Sequence, residues 1–292
     1  MSDSVFVQAQ PLDSPVNMPD ESHLAAVPPF CRLAPRQLRA ILDLATVKPL
    51  TAGAVVFDEG QTAQRFHLLL SGHIRFVRVT AEGDQIILLH IPAGQMFGIG
   101  VALGQITHQE TAIAADDCLI LSWPNALWPV FAAGYDGFAI ETFRVLGARS
   151  DEMSNRIVEL STKLVEQRIA CALMRMIGQS GRRIAGGIEV GFPITRQNIA
   201  DMTGTTLHTV SRVLSAWERQ GLVESRRCHI LVTDPHRMVR MSGAVGCIAV
   251  EKPALPDVLP LAYTCTADIA ARRSARKAAS SRRYSVQASM TV

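Results

Sequence analysis

At 292 residues the chain is long enough for two ordinary domains, and a 48% hydrophobic content suits a globular protein and excludes disorder throughout. The net charge of +3 is unevenly spread: from Met241 onward seven Lys/Arg face three acidic residues, which leaves −1 on the preceding 240 residues. Overall basicity therefore gives no reason to expect nucleic-acid binding, and only the placement of positive charge can.

The N-terminal MSDSVFVQAQPLDSPVNMPDE lacks the basic and apolar regions of a signal peptide, and no stretch approaches the ~18 apolar residues of a membrane span. A cytoplasmic protein without membrane contact is expected. Residues 1–27 read as a flexible arm, polar and without periodicity at the start. Six cysteines are scattered without a CxxC pair, which argues against a disulfide framework and a zinc knuckle and points to buried or incidental thiols.

Residues 28–135 read as an all-β sensor unit. The runs AVVF (54–57), FHLLL (66–70), HIRFVRV (73–79) and QIILLHI (85–91) alternate with the turn signals DEGQ, SG, AEGD and PAGQ, the pattern of an antiparallel sandwich or barrel. A helix over 136–165 follows. Phe143, Leu146, Ser150, Met153, Ile157, Leu160 and Leu164 are spaced 3, 4, 3, 4, 3, 4, the seam of a two-stranded coiled coil. The charged flanks Arg149, Asp151, Glu152, Arg156, Glu159 and Lys163 are expected to face water. The alternative is a long helix packed on its own sandwich.

Residues 166–240 carry the most informative pattern. Thr195 is suited to cap the short helix RQNIADMT, Gly204 and Thr205 to make the turn, and Thr206 to cap a second helix, LHTVSRVLSAWERQ. Val210, Val213, Leu214 and Trp217 give that helix one buried stripe, leaving His208, Thr209, Ser211, Arg212 and Ser215 outside. The following LVESRRCHILV reads as a two-stranded wing with Arg226 and Arg227 at its turn. A helix of this kind suits a major groove: Arg212 can fork onto guanine O6 and N7, and Ser211 can meet thymine or phosphate. Thr206, Thr209, Arg196, Gln197, Arg226 and Arg227 are candidate phosphate clamps. No HExxH, GxSxG or GxxxxGK[ST] motif suggests an enzyme.

The quoted β-run glycines, the 143–164 seam and ITRQNIADMTG…TVSRVLSAWERQGLV together resemble the CRP/FNR family of bacterial transcription regulators, over about 28–238. The resemblance implies an α+β fold: a cyclic-nucleotide-binding-like β-roll, a long dimerisation helix and a C-terminal winged helix-turn-helix. It also implies a homodimer on a palindromic double-stranded DNA operator, and contact with RNA polymerase. The FNR-like E-x-x-S-R pattern is kept at Ser211 and Arg212, but His208 stands at the Glu position. TTLHTVSR in this form resembles the nitric-oxide-responsive Nnr-type branch. By the same resemblance, Ile99 and Glu110 occupy the ribose-binding Glu and phosphate-binding Arg positions of the cAMP cassette, which argues against cAMP. Cys31 stands alone where the oxygen sensor has a cysteine cluster, which argues against an Fe–S centre. Nitric oxide or oxygen limitation is the favoured signal, with His67, His73, His90 and His108 as haem-ligand candidates. A ligand-independent regulator, or a signalling module whose β-roll makes protein contacts, is the competing reading. Residues 241–292, with RRSARKAASSRR, lie past the expected family fold as a basic tail.

Overall fold

The computed structural model describes residues 19–243. Two short helices, α1 (Glu21–Ala25) and α2 (Pro35–Asp43), precede eight strands: β1 (Thr46–Leu50), β2 (Val55–Phe57), β3 (Arg65–Ser71), β4 (His73–Val79), β5 (Gln85–Pro92), β6 (Met96–Phe97), β7 (Thr111–Ala114) and β8 (Cys118–Pro124). They form two four-stranded antiparallel sheets, ordered β1-β8-β3-β6 and β2-β7-β4-β5. Alternation along the strands points Leu69, Ile74, Phe76, Leu89, Phe97 and Ile120 into the space between the sheets. The opposite face of the first sheet, with Phe66, Leu68, Leu121 and Trp123, is covered by helices carrying Leu24, Ile41, Phe131 and Phe138 and by Phe30 in the turns between α1 and α2. Trp123 Nε1 donates to the Ile41 carbonyl at 2.8 Å, which satisfies the one polar atom of a fully buried ring.

The expected arm is partly structured: Leu24 and Val27 are core residues, and only residues 1–18 of it lie outside the described residues. Cys31 is disulfide-bonded, which departs from the reading of buried or incidental thiols, whereas Cys118 and Cys171 are buried and free and Cys228 is exposed and free. The expected basic tail lies outside the described residues from 244 on.

After α3 (Trp128–Gly134), the long helix α4 spans Phe138–Thr162, 25 residues. It lies on its own β-roll, burying Phe138, Glu141, Thr142, Val145 and Arg156. Two residues of the expected seam pack inward. Leu146 packs on the helix-side core and Met153 on the inter-sheet core. Leu160 lies beside the Gly204 turn, and Leu164 falls beyond the helix, which ends where Lys163 turns extended. Phe143, Ser150, Ile157, Leu160 and Leu164 of the expected seam are exposed, and Ile140, Gly147 and Ser154 widen that outward face. A 3-4 spacing marks a helix face but does not say which neighbour covers it, and here the nearest neighbour is the chain's own roll. The flanking charges are corrected for the same reason: Arg156 is 7% exposed, and Arg149, Glu152 and Glu159 are half-buried.

The reader unit begins with α5 (Val165–Ser180) and a hairpin of β9 (Arg182–Ile184) and β10 (Gly187–Glu189). Then come α6 (Arg196–Thr203), α7 (Leu207–Arg219), β11 (Val223–Arg226), β12 (His229–Val232) and α8 (Pro235–Met241). The wing is a four-stranded sheet, β11-β12-β10-β9, and not the expected pair. The GRRIAGG segment (181–187) carries the turn of the added hairpin. A Cβ at Gly187 would collide with the Val232 carbonyl, so glycine there permits the close β10–β12 approach.

Candidate nucleic-acid interface

Helices α6 and α7 form the helix-turn-helix as the capping pattern predicts. Thr195 Oγ1 accepts from the Asn198 amide at 3.1 Å while Asn198 Oδ1 accepts from the Thr195 amide at 3.0 Å, a reciprocal cap. Gly204, at φ +59°, makes the left-handed turn. Thr206 Oγ1 then accepts from the Thr209 amide at 3.2 Å and starts α7. Val210, Val213, Leu214 and Trp217 are buried against Ile199, Leu173 and Ile230, so the angle between the helices is set by a packed core.

The opposite face of α7 is left open. His208 and Arg212 are exposed, Ser211 is half-buried, and none of the three has a hydrogen-bond or ion-pair partner within the described residues. A guanidinium held at the surface of a capped helix with its donors unspent is equipped to meet a base edge. The clamp candidates differ among themselves. Arg196 is paired with Glu218 at 3.4 Å and Gln197 donates to Asp201 at 2.6 Å, so both first brace the motif. Thr206 and Thr209 share a hydroxyl contact of 3.0 Å at the cap. In the wing Arg226 lies 3.5 Å from Glu224, whereas Arg227 is exposed and unpaired, next to Cys228 at φ +58°.

The four histidines do not converge on one cavity. His67 Nδ1 meets Ser122 Oγ at 2.6 Å, and its ring lies among Phe57 and Phe97; burial, reinforced by Arg65, depresses its pKa to about 3. His108 stacks on Phe57 at 3.6 Å between centroids. His73 Nδ1 is 2.8 Å from Asp116 Oδ2. His90 lines a cavity of about 260 Å³ with Gln95, Arg149, Glu152 and Gln179. That is below the ~300–1,000 Å³ of ordinary ligand sites and has no flat apolar slot. The four side chains as arranged do not together frame a haem site. Among the described residues no group of three His/Cys/Asp/Glu is set to hold a metal ion.

Two connections to the reader escaped the sequence. Arg156 on α4 donates to the carbonyls of Leu88 and, at 3.0 Å, Ile87 in β5, and at 2.8 Å to Met202 in α6. Phe192, just ahead of α6, sits between the rings of His73 and His90 at centroid distances of 4.6 and 4.7 Å. A charged residue at a non-seam helix position carries no periodic signal that would distinguish it from a solvated one.

Two family models match the chain: a Crp-like helix-turn-helix domain over residues 167–241 and a cyclic nucleotide-binding domain over 47–129. The chain belongs to the CRP/FNR family. It is a DNA-binding transcription regulator and not an enzyme. Electron transport regulator A of Shewanella oneidensis is 24% identical to this CRP/FNR protein over 196 residues, covering 67% of this chain and 78% of that one. The fumarate and nitrate reduction regulatory protein of Escherichia coli K12 is 22% identical over the same shares. The solved structure of FixK2 from Bradyrhizobium japonicum has the same fold, with a TM-score of 0.61 at 22% identity, covering 69% of this chain and 99% of that one. Among the described residues no helix is long and apolar enough to cross a membrane.

Proposed function

We propose that this CRP/FNR regulator is a homodimer that reads a palindromic operator of the TTG-N8-CAA type, one α7 helix entering each of two major grooves about 34 Å apart. The carrying observation is the unpartnered row His208, Ser211 and Arg212 on a capped, core-packed helix. Arg212 reads guanine and Ser211 a neighbouring thymine. His208 replaces a carboxylate acceptor with an imidazole and changes the preference at one flanking base. Arg227 and the hydroxyls of Thr206 and Thr209 hold phosphates; Arg196, Gln197 and Arg226 do so by exchanging their present protein partners. The exposed α4 row with Ile140, Phe143 and Ile157 is the dimer face, its glycine and serines allowing the two helices close approach.

The signal is not cAMP: Ile99 is buried in the core and Glu110 would oppose a phosphate. Nor is it an Fe–S cluster, since four cysteine ligands cannot be assembled from Cys31 and Cys118. Oxygen limitation or nitric oxide is the signal class supported by relatives named for electron transport and for fumarate and nitrate reduction. RNA polymerase is the partner at the regulated promoter. The test is a gel shift with the TTG-N8-CAA duplex and a scrambled one, with and without nitric oxide. Selective binding of one dimer per duplex supports the reading. Equal binding to both duplexes overturns it in favour of a β-roll signalling module, and selective binding unaffected by nitric oxide or by oxygen removal leaves a ligand-independent regulator.

A further inference from the structure

The cavity beside His90 draws its wall from three parts of the chain. His90 comes from β5 and Gln95 from the turn into β6, Arg149 and Glu152 come from α4, and Gln179 comes from α5, the first helix of the reader. Most of these polar groups bond to one another or to backbone. Arg149 donates to Gln95 Oε1 at 3.3 Å and to the Met96 carbonyl, and Gln179 Nε2 donates to Glu152 Oε2 at 3.1 Å. His90 differs. It is 7% exposed, its ring lies against Phe192 at 4.7 Å, and its Nδ1 is buried with no hydrogen-bond partner among the described residues. An imidazole nitrogen left buried and unpaired destabilises the fold, so its place at a cavity edge calls for a partner that enters the cavity.

Size and charge limit what that partner is. A volume of about 260 Å³ is the share of roughly eight waters, which admits a molecule of about six to eight non-hydrogen atoms and excludes a nucleotide or a haem. Neither Ile99 nor Glu110 lines it, so it is distinct from the nucleotide position of the family. The charged groups that act on His90 are His73, Arg75 and Arg156, and those that act on Glu152 are Arg175, Arg156 and Arg149, every one a cationic type. Burial holds the Glu152 carboxyl above its usual range, against the pull of Arg175, which lessens the one negative charge on the wall. An anion therefore suits the cavity. The oxygens of Glu152 and Gln179 accept hydrogen bonds, so a second group on the molecule must donate; a hydroxyl does this without adding a positive charge that the surrounding arginines would oppose.

We infer that this cavity binds a small hydroxycarboxylate anion, its carboxylate taken by Arg149 and His90 and its hydroxyl by Glu152 and Gln179, and that the occupant is an effector because it bridges the sensor, α4 and the reader. The site adds a metabolite input to the oxygen or nitric oxide signal proposed above and does not rest on it. Its position supplies the coupling. Phe192, stacked on His90, leads into α6, and Arg156, about one turn beyond Glu152 on α4, bonds the Ile87 and Met202 carbonyls. A ligand that favours one arrangement of these contacts shifts the position of the reader.

The experiment titrates the full chain by calorimetry with four probes: L-lactate; propionate, which lacks the hydroxyl; propylene glycol, which lacks the carboxylate; and L-alanine, in which an ammonium replaces the hydroxyl. Lactate is expected to bind at least about tenfold more tightly than each of the others. His90→Phe keeps a ring against Phe192 and removes the nitrogens, and Gln179→Leu removes the contribution of the reader. Each variant, checked for a cooperative melt without ligand, should bind lactate at least about tenfold more weakly. Saturating lactate should slow amide exchange in β5 and α5 alike and change affinity for the TTG-N8-CAA duplex by at least about fivefold. Equal binding of the four probes, or no binding of lactate, overturns the site whatever the variants do, and so does lactate binding that both variants leave unchanged. Tighter binding of alanine than of lactate overturns the hydroxyl assignment. Lactate binding that alters neither amide exchange nor operator affinity overturns the effector role. If the chain fails to distinguish operator from scrambled duplex with and without lactate, the α7 reading has failed, and calorimetry and exchange still decide the cavity.

Discussion

Arg212 and His208 are adjacent on one helix surface yet are expected to fail differently when changed. Arg212→Ala removes a bidentate base contact; it should weaken operator binding by about 1–3 kcal/mol and relax preference at that guanine alone, as read by a base-by-base competition series. Arg227→Ala should weaken operator and scrambled duplexes equally and flatten the salt slope, the signature of a phosphate contact. A His208→Glu exchange restores a carboxylate acceptor and should raise affinity for duplexes presenting cytosine N4 at the facing position. The buried histidines predict a pH effect of definite sign. Burial lowers the pKa of both His67 and His90 to about 3 from 6.5, so between those values the unfolded chain binds more protons. Stability is therefore full above about pH 6.5 and falls as pH drops, by up to about 1.4 kcal/mol per pH unit per histidine. Denaturant titrations from pH 7 to pH 5 should show this loss, and His90→Gln should remove its share of the slope.

The elements divide into those whose partner is local and those whose partner lies across the fold. Local patterns were legible: His73–Val79 is a strand as its run of alternating residues indicates, and the Thr195 and Thr206 caps start α6 and α7 where the hydroxyls stand. A cap needs only the next three residues, so sequence contains it. The α4 face was half legible. Its heptad spacing is real, but the roll takes Leu146 and Met153, and Gly147 and Ser154 join the open face. The β9–β10 hairpin was missed because three-residue strands hold too little alternation to register. These corrections define a test of the dimer. In a parallel pair of helices a seam residue meets its own symmetry mate, so Ile157→Asp brings two carboxylates together. It should yield a monomer by light scattering and lower operator affinity by at least about tenfold. Met153→Ala should instead lower the melting temperature and leave the dimer intact.

At the scale of the whole molecule the reader is built into the sensor rather than tethered to it. Val77 and Ile87 from the second sheet join the core that holds Leu173, Ile199 and Trp217, so one hydrophobic cluster spans both units. Across the same boundary Phe192 is held between two histidines, and Arg156 ties β5, α4 and α6 through three carbonyls. A buried guanidinium with its carbonyls satisfied fixes geometry more than it adds stability, because desolvation offsets much of the attraction. Its removal leaves three acceptors buried without donors, a cost of about 1–3 kcal/mol each, which the units can avoid only by separating. The tryptophans report the two sides independently: Trp123 and Trp128 belong to the roll core and Trp217 to the reader core. In the unaltered chain, fluorescence of single-tryptophan variants should give coincident unfolding transitions, as a shared core requires. Arg156→Met with Phe192→Ala should split them, the Trp217 transition moving to lower denaturant while that of Trp123 stays. Operator affinity in the same double variant should lose its response to the signal, since a reader no longer bonded to β5 and α4 has no route by which the sensor can bias its position. Coincident transitions in the double variant would mean that the hydrophobic cluster alone couples the units and that Arg156 has no mechanical part in the switch.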